Sequence, residues 1–379
     1  MDRVPTSATL GMAEIARRVE AQGKKLVHFE LGEPDFTTPK NVIDAAYKEM
    51  LEGQTHYESS RGVPRLLDAI AKDEEAFGIH ADPRKNIIVV PGSKFAIYAL
   101  LRAIIDPGDE VIIISPAWPS YADMVNVVGG RPVHVALTES LKVDEEGLRK
   151  AVSKKTQLLM VNSPNNPTGA VVDPGDLRLL RDLAVDGDLL VMSDEIYKMM
   201  VYDDAKHVSI ATLPDMAERT VVVDGFSKTY AMTGWRLAYA IGNEKIIQNM
   251  VKIQMNTTTC AASFAQYAAV EALTGPQDSV HSMLEEYGRR RKTTLKLIQE
   301  IPGIRCTEPK GAFYLFPDIS SYGKPDTEIA KGLLENGVSL TPGTPFGLGG
   351  SGHIRVSYAT GMSNIVEGVK RMREYFKSV

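Results

Sequence analysis

Short apolar runs, each broken by polar or turn-forming residues, dominate the middle of this chain. NIIVV (86–90) runs into PGSK, EVIII (110–114) into SPAWPSY, and QLLMV (157–161) into NSPNNPTG. DLLVM (188–192) runs into SDEIY and TVVV (220–223) into DGFSK, with RLAYAIG (236–242) soon after. Runs this short and this rich in Val, Ile and Leu predict strands buried on both faces. Amphipathic stretches such as FAIYALLRAII (95–105) and PGDLRLLRDLAV (174–185) lie between them. Strands alternating with helices predict an α/β fold with a mainly parallel sheet. Ligands bind such sheets beyond the carboxyl ends of the strands. Five of these ends carry distinctive polar residues, which locates a candidate site.

The pattern changes after about residue 276. SVHSMLEEYGRRRKTTLKLIQEI (279–301) reads as one long amphipathic helix, followed by mixed strand and helix patterns to the C-terminus. GEPDFTTP (32–39) is a turn-rich break near the start. The expectation is a large domain over 41–276 and a smaller α+β domain over 277–379, joined by the N-terminal segment 1–40. The chain's 379 residues, 44% of them hydrophobic, suffice for both cores.

Several function classes are disfavoured. The formal net charge is -5 and no basic block reaches five residues, so nucleic acid is a poor partner. YGRRRK (287–292), the densest basic patch, reads as a solvated helix face. No apolar stretch approaches the roughly 18 residues that span a membrane, and the N-terminus has no secretory apolar region. The two cysteines form no CxxC pair, and the histidines show no metal-binding spacing, so no metal is expected. His28, His134 and His353 read as structural. A cytoplasmic location is expected.

The strand ends suggest specific chemistry. Gly92, Ser93 and Lys94 open a helix after a strand, and free N–H groups at such a start bind an anion. Arg236 adds positive charge, and phosphate is the natural guest. Asp194 ends a buried strand, where a carboxylate needs a partner. That partner is either an arginine or a protonated ring nitrogen. Glu195 points to the other face. Lys228 is a surface lysine, a phosphate ligand or a desolvated nucleophile toward an aldehyde. Phosphate, aldehyde and ring nitrogen together describe pyridoxal 5'-phosphate.

These motifs, with LGEPDFTTP, THYESSRGVPRLLDAIA, PKGAFYLFPDI and HIRVSYAT, run nearly end to end. The sequence resembles the class I and II aminotransferases of fold-type I pyridoxal-phosphate enzymes, closest to the prokaryotic aspartate aminotransferase branch. The resemblance implies a seven-stranded, mainly parallel sheet in the large domain and a homodimer. It implies that Lys228 joins the cofactor covalently and later shuttles a proton. Asp194 would pair with the ring nitrogen, Asn166 and Tyr197 with the ring 3'-oxygen, and Trp118 would stack on the ring. Ser93, the Gly92–Lys94 backbone and Arg236 would hold the phosphate. Ser227 would be a further phosphate ligand, although the serine that many relatives carry stands three residues before the lysine, a position that is Gly225 here. Tyr57 would reach the phosphate of the partner subunit. Arg355 would bind the substrate α-carboxylate, touched also by the Gly32 backbone.

The resemblance leaves the amino donor less defined. Lys94 is either the cation for an acidic side chain, favouring aspartate with 2-oxoglutarate in a ping-pong cycle, or an offset to phosphate charge. Trp118, Tyr121 and Phe346 equally suit aromatic or aliphatic donors, including alanine and branched-chain ones. Arg61 sits near Tyr57 and within reach of a dimer interface. A β-lyase on the same scaffold would use the same lysine and aspartate. A transcription regulator's ligand-sensing domain is the non-enzymatic alternative, and it would need a DNA-binding extension.

Overall fold

A computed structural model describes residues 8–379. The opening 1–7 of the N-terminal segment lies outside the described residues. The strands are β1 (Val27–His28), β2 (Ile87–Val90), β3 (Glu110–Ser115), β4 (Arg131–Ala136), β5 (Thr156–Asn162) and β6 (Leu190–Asp194). They continue as β7 (Thr220–Gly225), β8 (Ala238–Ile241), β9 (Tyr314–Leu315), β10 (Val338–Ser339), β11 (Thr341–Pro342) and β12 (Ile354–Ser357).

Seven strands form one sheet in the order β2-β8-β7-β6-β5-β3-β4. Every pairing is parallel except those of β8, which runs antiparallel to both β2 and β7. Alternate residues face opposite sides, as the pleat requires. Ile88 and Val90 pack with Ile97, Leu100 and Met250 on one face, while Ile87 and Val89 pack with Leu66, Ile70 and Ala268 on the other. Helices on both faces explain why the strands read as continuous apolar runs. Among the described residues no helix is long and apolar enough to cross a membrane.

A second packing group joins the two ends of the chain. β1 pairs with β10, and β11-β12-β9 form an antiparallel sheet. Val27 and Phe29 share one core with Tyr287, Phe313, Val356 and Val369. The helix Asp278–Gln299 spans most of the predicted long helix.

The basic patch on that helix differs from the sequence reading. Arg289 and Lys292 are exposed, but Arg290 and Arg291 are buried. Residues 287, 290, 291, 294 and 298 fall on one side of the helix, so the stripe that carries Tyr287 and Ile298 inward carries both arginines with it. Arg291 donates to the Pro309 carbonyl at 2.6 Å and to Asp203, and Arg290 donates to Asp35 at 2.7 Å. Charge satisfied inside the chain explains how two arginines tolerate burial.

His28 ties the helix Ala8–Ala21 to β1. Its Nδ1 lies 2.8 Å from Glu30 Oε1 and its Nε2 lies 3.0 Å from Glu20 Oε1. The Glu30 bond, with help from Glu20, raises the imidazole pKa to about 9 despite partial burial. The folded pKa lies above the unfolded value of 6.5. The contribution to stability is therefore complete below about pH 6.5 and is lost as pH rises through about 9. Replacing His28 with Gln should lower the melting temperature at pH 7, and the gap from wild type should close by roughly pH 10. A gap independent of pH, in parallel thermal melts, would assign the effect to packing alone.

Candidate active site

A cavity of about 450 Å³ opens beyond the carboxyl ends of the parallel strands. Of the residues singled out from sequence, Gly32, Ser93, Lys94, Trp118, Asn166, Asp194, Tyr197, Ser227, Lys228, Arg236 and Arg355 line it. The topology explains the convergence. β5, β6 and β7 end side by side, which brings Asn162, Asp194 and the turn carrying Lys228 to one edge.

Asp194 is 3% exposed. Tyr121 donates its hydroxyl to Asp194 Oδ2 at 2.6 Å, and the Ile196 N–H donates to Oδ1 at 3.2 Å. Among the described residues no arginine, lysine or histidine lies within ion-pair distance of it, and Lys228 acts on it only through space. That removes the arginine alternative from the two partners considered. Burial pushes the carboxyl pKa up to about 6, against the lowering effect of the Tyr121 and Ile196 bonds. A buried carboxylate without a cation suits a guest that brings a protonated nitrogen. Glu195 turns away and is held by Ser193, Ser209 and His207.

Lys228 follows β7 by three residues and donates its Nζ to the Gly32 carbonyl. Desolvation lowers its pKa to about 8, with Arg355 and Arg236 adding to the shift and Glu33 and Asp194 opposing it. The surface-lysine reading is thereby set aside. A lysine with this pKa supplies neutral amine near physiological pH.

Gly92 caps the helix Ser93–Ile104 with φ 92°, a conformation that favours glycine. A Cβ at Gly92 would collide with the Arg236 guanidinium. Arg236 itself has φ 53°, uncommon for a residue with a side chain. It bonds the Thr233 carbonyl at 2.7 Å. Helix N–H groups, Ser93 and a close guanidinium form an anion cradle. Gly225 pairs with Ala238, and a Cβ there would lie 2.6 Å from the Ala238 Cβ. That close strand contact leaves no room for a serine at Gly225, whereas Ser227 does face the cavity.

Arg355 is 2% exposed. One Nη donates to Asn166 Oδ1 at 3.0 Å and the other to the Glu30 carbonyl at 2.7 Å. The guanidinium lies 4.5 Å from the Tyr314 ring centroid, and the Tyr314 hydroxyl is 2.8 Å from that of Tyr197. Lys94 Nζ sits 4.9 Å from the Trp118 ring centroid, and desolvation lowers its pKa while Asp123 opposes that shift.

Some residues stand elsewhere. Tyr57 is 88% exposed and does not line this cavity. Arg61 donates to the Lys85 and Ile87 carbonyls of its own chain at 3.0 Å, capping the approach to β2. Phe346 is buried beneath the Arg355 guanidinium, 5.3 Å away, and lies outside the lining. Arg17, Glu30, Asn162 and Tyr314 line the cavity without having been assigned a role from sequence. Tyr314 lies in the quoted GAFYLF segment and Asn162 in NSPNNPTG, so only their roles were missed. Arg17 belongs to a plain amphipathic helix with no motif to mark it.

The donor set fits pyridoxal 5'-phosphate: an anion cradle, a carboxylate lacking a cation and a desolvated lysine share one cavity. Comparison with known proteins agrees with this fit. Residues 24–371 match the family described as Aminotransferase class I and II. The aspartate aminotransferase of Pyrococcus abyssi is 43% identical over 367 residues, covering 95% of this chain and 94% of that protein. The solved aspartate aminotransferase of Thermus thermophilus with maleate superposes with a TM-score of 0.94 at 38% identity, covering 99% and 98% of the two chains. The aromatic aminotransferase of Pyrococcus horikoshii superposes with a TM-score of 0.92 at 41% identity, covering 96% and 99%. This chain belongs to the class I and II aminotransferases and is a pyridoxal-phosphate-dependent transaminase.

Proposed function

We propose that the chain transfers the amino group of L-aspartate to 2-oxoglutarate, with Lys94 receiving the distal carboxylate while Arg355 holds the α-carboxylate. The observation that carries this reading is the Lys94 ammonium, poised over Trp118 in the wall of the cavity that Arg355 also lines. The T. thermophilus relative, solved with the dicarboxylate maleate, supports it.

Pyridoxal 5'-phosphate, when bound, supplies an aldehyde and a ring that accepts electrons. Ser93, Ser227, Arg236 and the Gly92–Lys94 backbone hold its phosphate. Asp194 would keep a proton on the ring nitrogen, Asn166 and Tyr197 would hold the 3'-oxygen, and Trp118 would cover the ring face. Lys228 would anchor the cofactor and, as a free amine, would carry a proton to and from the substrate α-carbon. The Gly32 backbone borders the α-carboxylate.

The unit at work is a homodimer whose Tyr57 reaches the partner's phosphate. Tyr57 projects from its own fold, and Tyr47, Leu51 and Met255 are exposed apolar residues as well. A body over 41–276 and a smaller one built from 1–40 and 277–379 close over the substrate. Two free cysteines suit the cytoplasm.

The test is an absorbance spectrum of the purified yellow enzyme before and after L-aspartate, with steady-state kinetics alongside. Bleaching by aspartate and parallel double-reciprocal lines are expected. Bleaching by tyrosine but not aspartate would favour the second reading, an aromatic donor facing Trp118 and Tyr121. Pyruvate and ammonia released from a β-substituted amino acid without an oxoacid would indicate a lyase.

A further inference from the structure

The cavity is lined by five cations, and three have assigned partners. Arg355 is fixed by Asn166 and the Glu30 carbonyl, Lys228 by the Gly32 carbonyl, and Arg236 by the Thr233 carbonyl beside Gly92. Among the described residues, Lys94 and Arg17 remain. Asp123 lies close enough to offset part of the Lys94 charge. A carboxylate delivered to Lys94 alone would therefore meet a partly neutralised cation.

Arg17 enters from a different wall. Its helix, Ala8–Ala21, packs against β10 and β11 and buries Ala16 completely. Glu20, one turn beyond Arg17, is bonded to His28, which is bonded in turn to Glu30 in the cavity lining. That chain of contacts fixes the helix relative to the Arg355 side of the cavity. The neighbouring Arg18 provides a comparison within the same helix: both arginines are exposed, but Arg18 pairs with Glu14 four residues earlier, as on an ordinary solvated face. Arg17 instead borders the cavity.

We propose that Arg17 is a specificity-determining residue that grips the distal carboxylate of dicarboxylic substrates from the wall formed by the N-terminal helix, opposite Lys94. A guanidinium presents a planar fork to a carboxylate, and Lys94 adds a point charge from the large sheet's side. A substrate with two carboxylates thus spans the cavity and ties the N-terminal helix to the sheet. A substrate with an uncharged side chain leaves Arg17 in water. The proposal rests on the reading of acidic substrates, yet each can fail without the other.

The test compares the cofactor-loaded full chain as wild type, Arg17→Gln, Arg17→Lys and Arg18→Gln. Each half-reaction is measured separately with L-aspartate, 2-oxoglutarate and L-tyrosine. The dissociation constant of succinate, which has both carboxylates and no amino group, is read from the change in absorbance. Arg17→Gln should raise the aspartate and 2-oxoglutarate KM and the succinate constant about tenfold, the scale of one charge-assisted hydrogen bond. Tyrosine should change by less than about twofold, Arg17→Lys should fall between, and Arg18→Gln should match wild type. Equal losses for all substrates, or none, would overturn the proposal. If wild type ignores aspartate but Arg17→Gln still loses 2-oxoglutarate, the donor reading fails and the Arg17 proposal stands. If wild type uses aspartate and Arg17→Gln binds succinate normally, only the Arg17 proposal fails.

Discussion

Alanine in place of Lys228 is expected to reduce turnover by a factor on the order of 10⁴ or more while leaving the fold intact. Among the described residues Lys228 carries the only amine at the turn after β7, beside the weakly acidic Ser227 hydroxyl, and the other proton-bearing groups nearby are engaged. Tyr197 is engaged with Tyr314, and Asp194 accepts from Tyr121. The variant should still take up pyridoxal phosphate without covalent linkage, because the anion cradle and Asp194 are untouched. A small amine added to the buffer should restore part of the proton transfer, which a merely structural role for the lysine would not allow. In the wild type, the rate of cofactor uptake by cofactor-free protein should rise with pH around a midpoint near 8, because the neutral amine is the nucleophile. The folded pKa lies below the unfolded 10.5, so the charged amine costs stability below about pH 8, and that cost fades as pH rises from there toward 10.5. Retention of even a tenth of wild-type turnover by the alanine variant would remove Lys228 from the mechanism.

Arg355→Ala should lower kcat/KM by roughly 10² to 10³, and by the same factor for every amino donor. Uniformity is the diagnostic outcome, because the α-carboxylate is common to all of them. Lys94 and Arg17 variants should instead sort donors by side chain. The loss exceeds that of an exposed arginine because Arg355 is buried and already oriented by Asn166 and the Glu30 carbonyl. Its removal leaves those two acceptors unpaired in the interior, at about 1–3 kcal/mol each, so a lower melting temperature should accompany the kinetic loss. Arg355→Lys should recover stability better than activity, since an ammonium cannot form the paired bonds of a planar fork. A loss confined to aspartate would reassign Arg355 to the distal end of the substrate.

Much of this architecture was legible because burial on both faces leaves a signature. The runs at 87–90, 111–114, 158–161 and 221–223 are apolar at every position, and each lies in a strand of the central sheet. The turn chemistry after them marked the cavity, since Asp194, Asn166 and Lys228 follow strand ends closely. Periodicity gave less where burial is one-sided. It could not separate Arg290 and Arg291 from Arg289, because the side of a helix that turns inward depends on packing partners far along the chain. Arg17 was invisible for a related reason: only the docking of its helix on β10 and β11 makes it part of a cavity. Arg61 illustrates the converse, a residue that drew notice by its place near Tyr57 and that holds its own backbone.

The reversal of β8 has a consequence for how this chain can vary. Parallel strands deliver only their trailing residues to the cavity, yet Arg236 leads into β8 and arrives at the same edge because that strand runs backward. The lysine and the arginine are thus two jaws of one caliper, set by the eight-residue step from 228 to 236 and by the Gly225–Ala238 pairing beneath it. Substitutions within the step can be absorbed by local repacking. A single inserted or deleted residue cannot, because it would shift one jaw against the other while the sheet holds both roots still. Length, more than identity, is what this stretch must conserve.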